Sequence, residues 1–274
     1  MGAALQKTQL EFTEGEELLP SVLSLFKSVS LEEMNAANLM DRVDTKYIFS
    51  QQKMPLLLSW LTKSYRILKV GENTSTTYES VYFDTENFEL YRQHHCGKLN
   101  RYKVRYRHYV ENDLSFFEIK RKTSTGRTVK CRIPCQEEQG LIQASAKEFL
   151  ETKTHLRADD LKAVLWVNYR RITLVNSLST ERITIDTGIN FKNRKGLEYA
   201  FPLAIAEVKQ VKSRSSEFME LMKNNNIHEG FMSKYCFGVS CLEPSLKKNN
   251  FRVPLRKITK LQTDAITKIN RRID

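Results

Sequence analysis

Between Leu99 and Val110, four basic residues occupy every second position: Arg101, Lys103, Arg105 and Arg107, with Tyr102, Val104, Tyr106 and His108 between them. An extended chain puts i and i+2 on one face and rises about 3.3 Å per residue, so these cations would form a stripe about 20 Å long. Such a stripe can grip a chain of phosphates. Phosphoryl transfer needs no nucleophilic side chain, because its transition-state charge spreads over phosphoryl oxygens that Arg, Lys and a divalent metal stabilise. A carboxylate among the cations, such as Glu207, would hold magnesium or manganese against the phosphates.

Other chemistries lack their parts. No GKS or GKT opens a helix, and Gly126 belongs to a turn signal rather than a phosphate loop. No Ser or Cys stands in a nucleophile elbow. His94-His95-Cys96 are adjacent in sequence, which does not by itself make a metal site, and five scattered cysteines without a CxxC pair argue against structural zinc. They read as reduced thiols in a cytoplasmic protein.

The alternation recurs in other segments. Ser115–Lys122 sets Phe116, Glu118, Lys120 and Lys122 on one face, residues 123–126 signal a hairpin turn, and Arg127–Ile133 returns with Thr128, Lys130 and Arg132. Val167–Val175 aligns Tyr169, Arg171 and Thr173, while Arg182–Asp186 aligns Arg182, Thr184 and Asp186. Leu203–Val211 aligns Ile205, Glu207 and Lys209, and Arg42–Ile48 aligns Arg42, Asp44, Lys46 and Ile48. A single half-exposed strand alternates for ordinary reasons, but seven with Arg and Lys dominating one face need something anionic to offset the repulsion. The charge is local: residues 98–132 hold 11 basic and 3 acidic residues, whereas residues 1–44 hold 3 and 8.

These strands predict an α+β fold: an all-antiparallel, closed β-barrel with a polar, basic lumen and helices packed outside. Helical spacing of apolar residues is available in Leu18–Val29, Lys53–Leu61, Leu141–Leu150, Ala158–Trp166 and Glu217–Met222. Val253–Ile273 reads as a basic amphipathic helix through Leu255, Ile258, Leu261, Ile266 and Ile269. The 274 residues, net charge +12, contain no apolar run long enough to span a bilayer and no signal-peptide-like start, so a soluble protein is expected.

The order of Arg42-Val43-Asp44-Thr45-Lys46-Tyr47, Tyr82-Phe83-Asp84-Thr85, Lys103-Val104-Arg105-Tyr106-Arg107, Glu118-Ile119-Lys120-Arg121-Lys122, Tyr169-Arg170-Arg171, Arg182-Ile183-Thr184-Ile185-Asp186-Thr187, Glu207-Val208-Lys209 and Ser233-Lys234-Tyr235 resembles the VTC domain. That is the catalytic domain of the vacuolar transporter chaperone polyphosphate polymerases, within the triphosphate tunnel metalloenzymes. The resemblance covers about residues 40–240, and its specificity lies in the order of the motifs. It divides the chain into a helical extension (1–39), a tunnel domain (40–243) and a basic C-terminal helix (244–274) packing on or beside the barrel.

The resemblance implies transfer of the γ-phosphate of ATP to a growing polyphosphate, with manganese or magnesium as cofactor. Catalytic positions would be Lys46, Arg105, Arg107, Lys120, Arg171 and Arg182; Lys103, Lys130, Arg132, Lys209 and Lys234 would bind phosphate. Glu207 would hold the metal, with Asp186 as a further ligand or a supporting acid. The first strand carries Arg42, Asp44 and Lys46 where CYTH-type triphosphatases carry an ExExK set of acids, which favours the polymerase branch. The chain shows neither the SPX domain nor the membrane helices of the eukaryotic complexes, so a membrane-protein partner is expected to supply any coupling to translocation.

Two other functions remain compatible with the same residues. A triphosphatase would put water in place of the phosphate acceptor, and a non-catalytic module would only bind polyphosphate or another polyanion. Nucleic acid is not expected: Tyr102, Tyr106 and Tyr109 are read as lying opposite the cations, where a base could not stack while its phosphate met Arg105. Asp84, Glu118 and Asp186 are candidates for purely structural pairing inside a polar barrel.

Overall fold

The computed structural model describes residues 14–36, 43–136, 140–211 and 215–273. Arg42, read as the start of the first basic strand, lies outside these described residues. In chain order the elements are α1 (Glu14–Ser24), β1 (Lys27–Val29), α2 (Leu31–Ala36), β2 (Val43–Ser50), α3 (Met54–Ser59), β3 (Tyr65–Leu68), β4 (Ser75–Thr85), α4 (Glu89–His95), β5 (Arg101–Tyr109), β6 (Leu114–Lys122) and β7 (Thr128–Pro134). They continue with α5 (Ala144–Lys153), β8 (Leu161–Asn176), β9 (Arg182–Asn193), β10 (Glu198–Phe201), β11 (Leu203–Gln210), α6 (Glu217–Asn224), α7 (Lys234–Leu242) and α8 (Arg252–Ile273).

One 11-stranded sheet runs β2-β11-β9-β8-β4-β5-β6-β7, with β1, β3 and β10 attached off this path. It is not wholly antiparallel as expected, because β1 pairs with β3 in parallel. The expected turn between β6 and β7 forms: Thr123 donates its N–H to Arg127 O at 2.8 Å, and Gly126 takes φ 76°, which glycine adopts without a Cβ penalty.

The sheet does not close as expected from the sequence. Among the described residues β2 and β7 do not pair, and the free edge of β2 is used otherwise: Tyr47 bridges Glu229, and Gly230 donates its N–H to Lys46 O at 2.9 Å. The sheet still curls, since Lys120 on β6 lies within electrostatic reach of Glu207 on β11 and Lys46 on β2. The result is a basin rather than a hydrogen-bonded ring.

Each face of the basin has its own cover. Outside, α1, α3 and α6 pack over Tyr47, Phe49, Ile183, Ile185, Ala206 and Val208, while α5 covers Val104, Phe117 and Ile119. Not every helix is external, however, and here the sequence expectation is corrected. α7 enters the concave side and packs on Leu165, Phe191 and Ile205, all buried in one cluster with its Tyr235, Phe237 and Val239. Gly238 makes the approach possible, because a Cβ there would stand 2.6 Å from Phe191 Cδ1 and 2.8 Å from Leu165 Cδ2. α8 packs beside it through Leu255, Ile258 and Leu261.

Ala158–Trp166 is not the expected helix. A short 3₁₀ turn at Ala158–Asp160 leads into β8, a 16-residue strand. Its buried positions face α5 on one side and α7 on the other, which erases the period-2 signal and leaves a continuous apolar run.

Candidate functional site

Strand register gathers the predicted cations on the concave face. Lys103 stands opposite Lys120, and Lys120 opposite Lys130; Arg105 stands opposite Glu118, and Glu118 opposite Arg132. On the far limb Arg171 faces Asp186, Glu207 faces both Lys46 and Thr184, and Lys209 faces Asp44 and Arg182. Ser80 pairs with Arg107 and Tyr82 with Arg105, which brings β4 into the same wall. Every one of the eleven sequence-predicted cations therefore belongs to this concave side or, for Lys234, to the helix entering it.

The acids are already engaged. Arg171 donates from Nε to Asp186 Oδ1 at 2.6 Å and from Nη2 to Oδ2 at 2.8 Å, and Lys234 donates to the same carboxylate. Burial alone would raise the Asp186 pKa, but the two cations outweigh it and hold the carboxyl well below its ordinary range. Arg105 donates to Glu118 from Nε at 2.7 Å and to Tyr82 Oη at 2.9 Å. Burial again opposes ionisation, and Arg105 and Arg107 together push Glu118 down to about 2. The structural pairing foreseen for Glu118 and Asp186 is thus present.

Glu207 is held differently. Lys46 Nζ lies 3.1 Å from its Oε2 and Lys209 Nζ 3.5 Å from its Oε1, and its side chain keeps 23% of its surface accessible. Burial works against its charge, but Lys209 and Lys46 keep it ionised. Among the described residues no cluster of three or more His, Cys, Asp or Glu could cage a metal. The donor chemistry fits a hard divalent cation carried by one accessible carboxylate and completed by phosphate oxygens, with Glu207 as that carboxylate. Both Asp186 oxygens are taken by cations, so a metal there would have to displace one of them.

Two lysines have unusual proton affinity. Burial lowers the Lys120 pKa, and the neighbouring Lys130 and Lys103 add to it, bringing it down to about 7. Lys209 comes down to about 8, through burial first, with Glu207 pulling the other way. It donates to Thr184 Oγ1 at 2.9 Å. Arg182 reaches α2 instead, donating to Met34 O at 2.8 Å, so it marks the rim rather than the floor.

Sequence reasoning placed Phe116 and Tyr169 on the cationic faces but missed Tyr78 and Tyr82. Arg171 stacks over Tyr78 at 4.8 Å and Tyr169 at 5.3 Å, Arg107 over Tyr78 at 5.3 Å, and Arg132 over Phe116 at 4.2 Å. The alternation Tyr78, Ser80, Tyr82 was the available signal. Tyr109 is also on this side, against Tyr78 at 4.9 Å, which corrects its placement opposite the cations; Tyr102 and Tyr106 do face outward, into the α5 core. Tyr169 sits beside a register shift between β8 and β9, and its buried hydroxyl has no hydrogen-bond partner.

At the inner end, Ser233 caps α7 by accepting from Cys236 N at 3.4 Å and also accepts from Lys103 Nζ at 2.7 Å. Asp84, expected to pair with a cation, is fully buried and accepts instead from the N–H groups of Thr85, Leu90 and Tyr91 and from the Tyr235 hydroxyl. A separate cavity of about 380 Å³ is lined by Glu79, His108, Asp113 and Trp166 among others, with no Lys or Arg.

Several solved structures align with this chain at low sequence identity. A candidate adenylate cyclase from Bacillus halodurans aligns at 15% identity and TM-score 0.45, covering 74% of this chain and 97% of its own. Another from Vibrio parahaemolyticus aligns at 14% and 0.45, covering 74% and 99%. A Hippeastrum protein, described as an adenylyl cyclase candidate with a dominant triphosphatase activity, aligns at 12% and 0.46, covering 74% and 96%. No curated protein matches the chain. The VTC domain family model matches residues 41–243, the span that holds every predicted cation and carboxylate, and the chain belongs to the VTC domain family.

Proposed function

We propose that the concave face binds a triphosphate or polyphosphate chain and transfers the γ-phosphate of ATP to a growing polyphosphate. The observation that carries this reading is the charge imbalance: eleven cations (Lys46, Lys103, Arg105, Arg107, Lys120, Lys130, Arg132, Arg171, Arg182, Lys209 and Lys234) share the site with four carboxylates (Asp44, Glu118, Asp186 and Glu207). A densely charged anion relieves that repulsion, and membership of the VTC domain family supports phosphoryl transfer.

In this reading Arg105, Arg107 and Arg171 fix phosphoryl oxygens from rings and carboxylates that already hold their guanidinium planes, so little reorganisation accompanies reaction. Lys46, Lys103, Lys120, Lys130, Arg132, Lys209 and Lys234 neutralise the remaining phosphates, and the Tyr169 hydroxyl offers one more donor. Arg182 acts at the rim. Glu207 would hold manganese or magnesium, which when bound supplies charge neutralisation at bridging oxygens. Asp186 keeps Arg171 and Lys234 in place, and would join the metal only by releasing one of them. We place the activity in the cytoplasm, where ATP is available and free thiols such as Cys96 persist, with a membrane-protein partner for any export.

Hydrolysis of triphosphate in the same site is the second reading, and the apolar packing of α7 at one end of the basin favours it because a polymer would need somewhere to go. Incubation with ATP and manganese followed by phosphorus NMR separates the two. Internal polyphosphate resonances that disappear in Glu207→Gln are the expected result; free phosphate without polymer moves the assignment to triphosphatase, and full activity of Glu207→Gln removes the metal role.

A further inference from the structure

Resting on the phosphate-binding reading, we infer that the basin is blind, taking a phosphate chain by its end rather than threading it. The concave face has two halves. Toward Lys209 and Arg182 it is polar and charged; toward α7 the inward-facing rows of β2, β11, β8 and β9 continue as Ile48, Ile205, Leu165 and Phe191, all at or below 9% exposure. α7 fills that half. Tyr235 stacks on Tyr82 with ring centroids 5.3 Å apart, and the Gly238 backbone sits against Phe191 and Leu165 closely enough to exclude even a methyl group.

The boundary between the halves is bridged. Lys103 on β5 donates to Ser233 at the start of α7, and the next residue, Lys234, donates to Asp186 on β9. The first turn of α7 therefore crosses from one wall to the other as a floor. Beyond it a phosphate would have to displace the buried packing of α7 on Leu165, Phe191 and Ile205, at a desolvation cost that apolar side chains do not repay. Only a terminal phosphate can reach Lys103 and Lys234, and internal phosphates of a long chain cannot occupy the floor without a free end.

Counting protein molecules per polyphosphate chain tests this directly. Linear chains of about 60 and about 120 phosphates, in about 0.3 M salt to screen exposed charge, are titrated with the protein in the analytical ultracentrifuge. A blind basin gives two proteins per chain at both lengths, one at each end. Chains of the same length with both terminal phosphates esterified should bind at least about tenfold more weakly. Occupancy that grows with length, or equal binding of capped and uncapped chains, overturns the blind basin while leaving a phosphate site intact. If linear triphosphate itself does not bind in calorimetry, the phosphate-binding reading falls and the inference with it.

Discussion

Lys120 shows how far the site is tuned at the level of one residue. Its ammonium has Lys103 and Lys130 on the two neighbouring strands and a pKa near 7 against an ordinary 10.5. Between those two values the unfolded chain holds more protons than the folded one, so this group makes folding stability rise with pH across that window. Binding of an anion has the opposite preference, because it favours the protonated ammonium. Triphosphate affinity should therefore fall as pH rises through 7 and on past 8, where Lys209 also titrates. Calorimetry at pH 8 in two buffers of unlike protonation enthalpy should report net proton uptake on binding, reduced in Lys120→Arg. Pairing by Arg171 and Lys234 keeps Asp186 ionised throughout this range.

Among the elements, α7 has the largest consequence. Its sequence, Lys-Tyr-Cys-Phe-Gly-Val-Ser-Cys-Leu, has seven of nine residues buried and carries no amphipathic stripe, so it reads neither as a surface helix nor as a strand. It is a helix because Ser233 caps it and because the concave face supplies an apolar bed on which every side but the first turn can be buried. Gly238→Ala should cost about 1–3 kcal/mol, because the new methyl meets Phe191 and Leu165 inside van der Waals distance. Urea denaturation measures this; an unchanged midpoint would show that α7 is held less tightly than its packing indicates. β5, β6 and β7, by contrast, were legible as strands, since one face is solvated and polar while the other packs on α5, and that asymmetry keeps the period of two intact.

For the whole molecule, the unliganded protein folds against its own charge. Raising ionic strength from about 0.05 to about 0.3 M should raise the melting temperature by screening the cationic basin, and saturating triphosphate at about 100 times its Kd should add about 2.7 kcal/mol of stability. Differential scanning calorimetry follows both; a melting temperature indifferent to salt would mean that the internal ion pairs already balance the field. The sequence by itself determined which cations share a face, because strand alternation is a local property: Arg101, Lys103, Arg105 and Arg107 line up whatever lies around them. It also determined the C-terminal helix and, through the order of its motifs, the VTC domain. Tertiary structure alone decided which acids pair with which cations, since Arg105 meets Glu118 and Arg171 meets Asp186 only through inter-strand register. It alone decided that β2 spends its free edge on Glu229 and Gly230 rather than on β7, and that a helix occupies half of the concave face. Those outcomes depend on contacts between segments far apart in the chain, for which no local periodicity carries a signal.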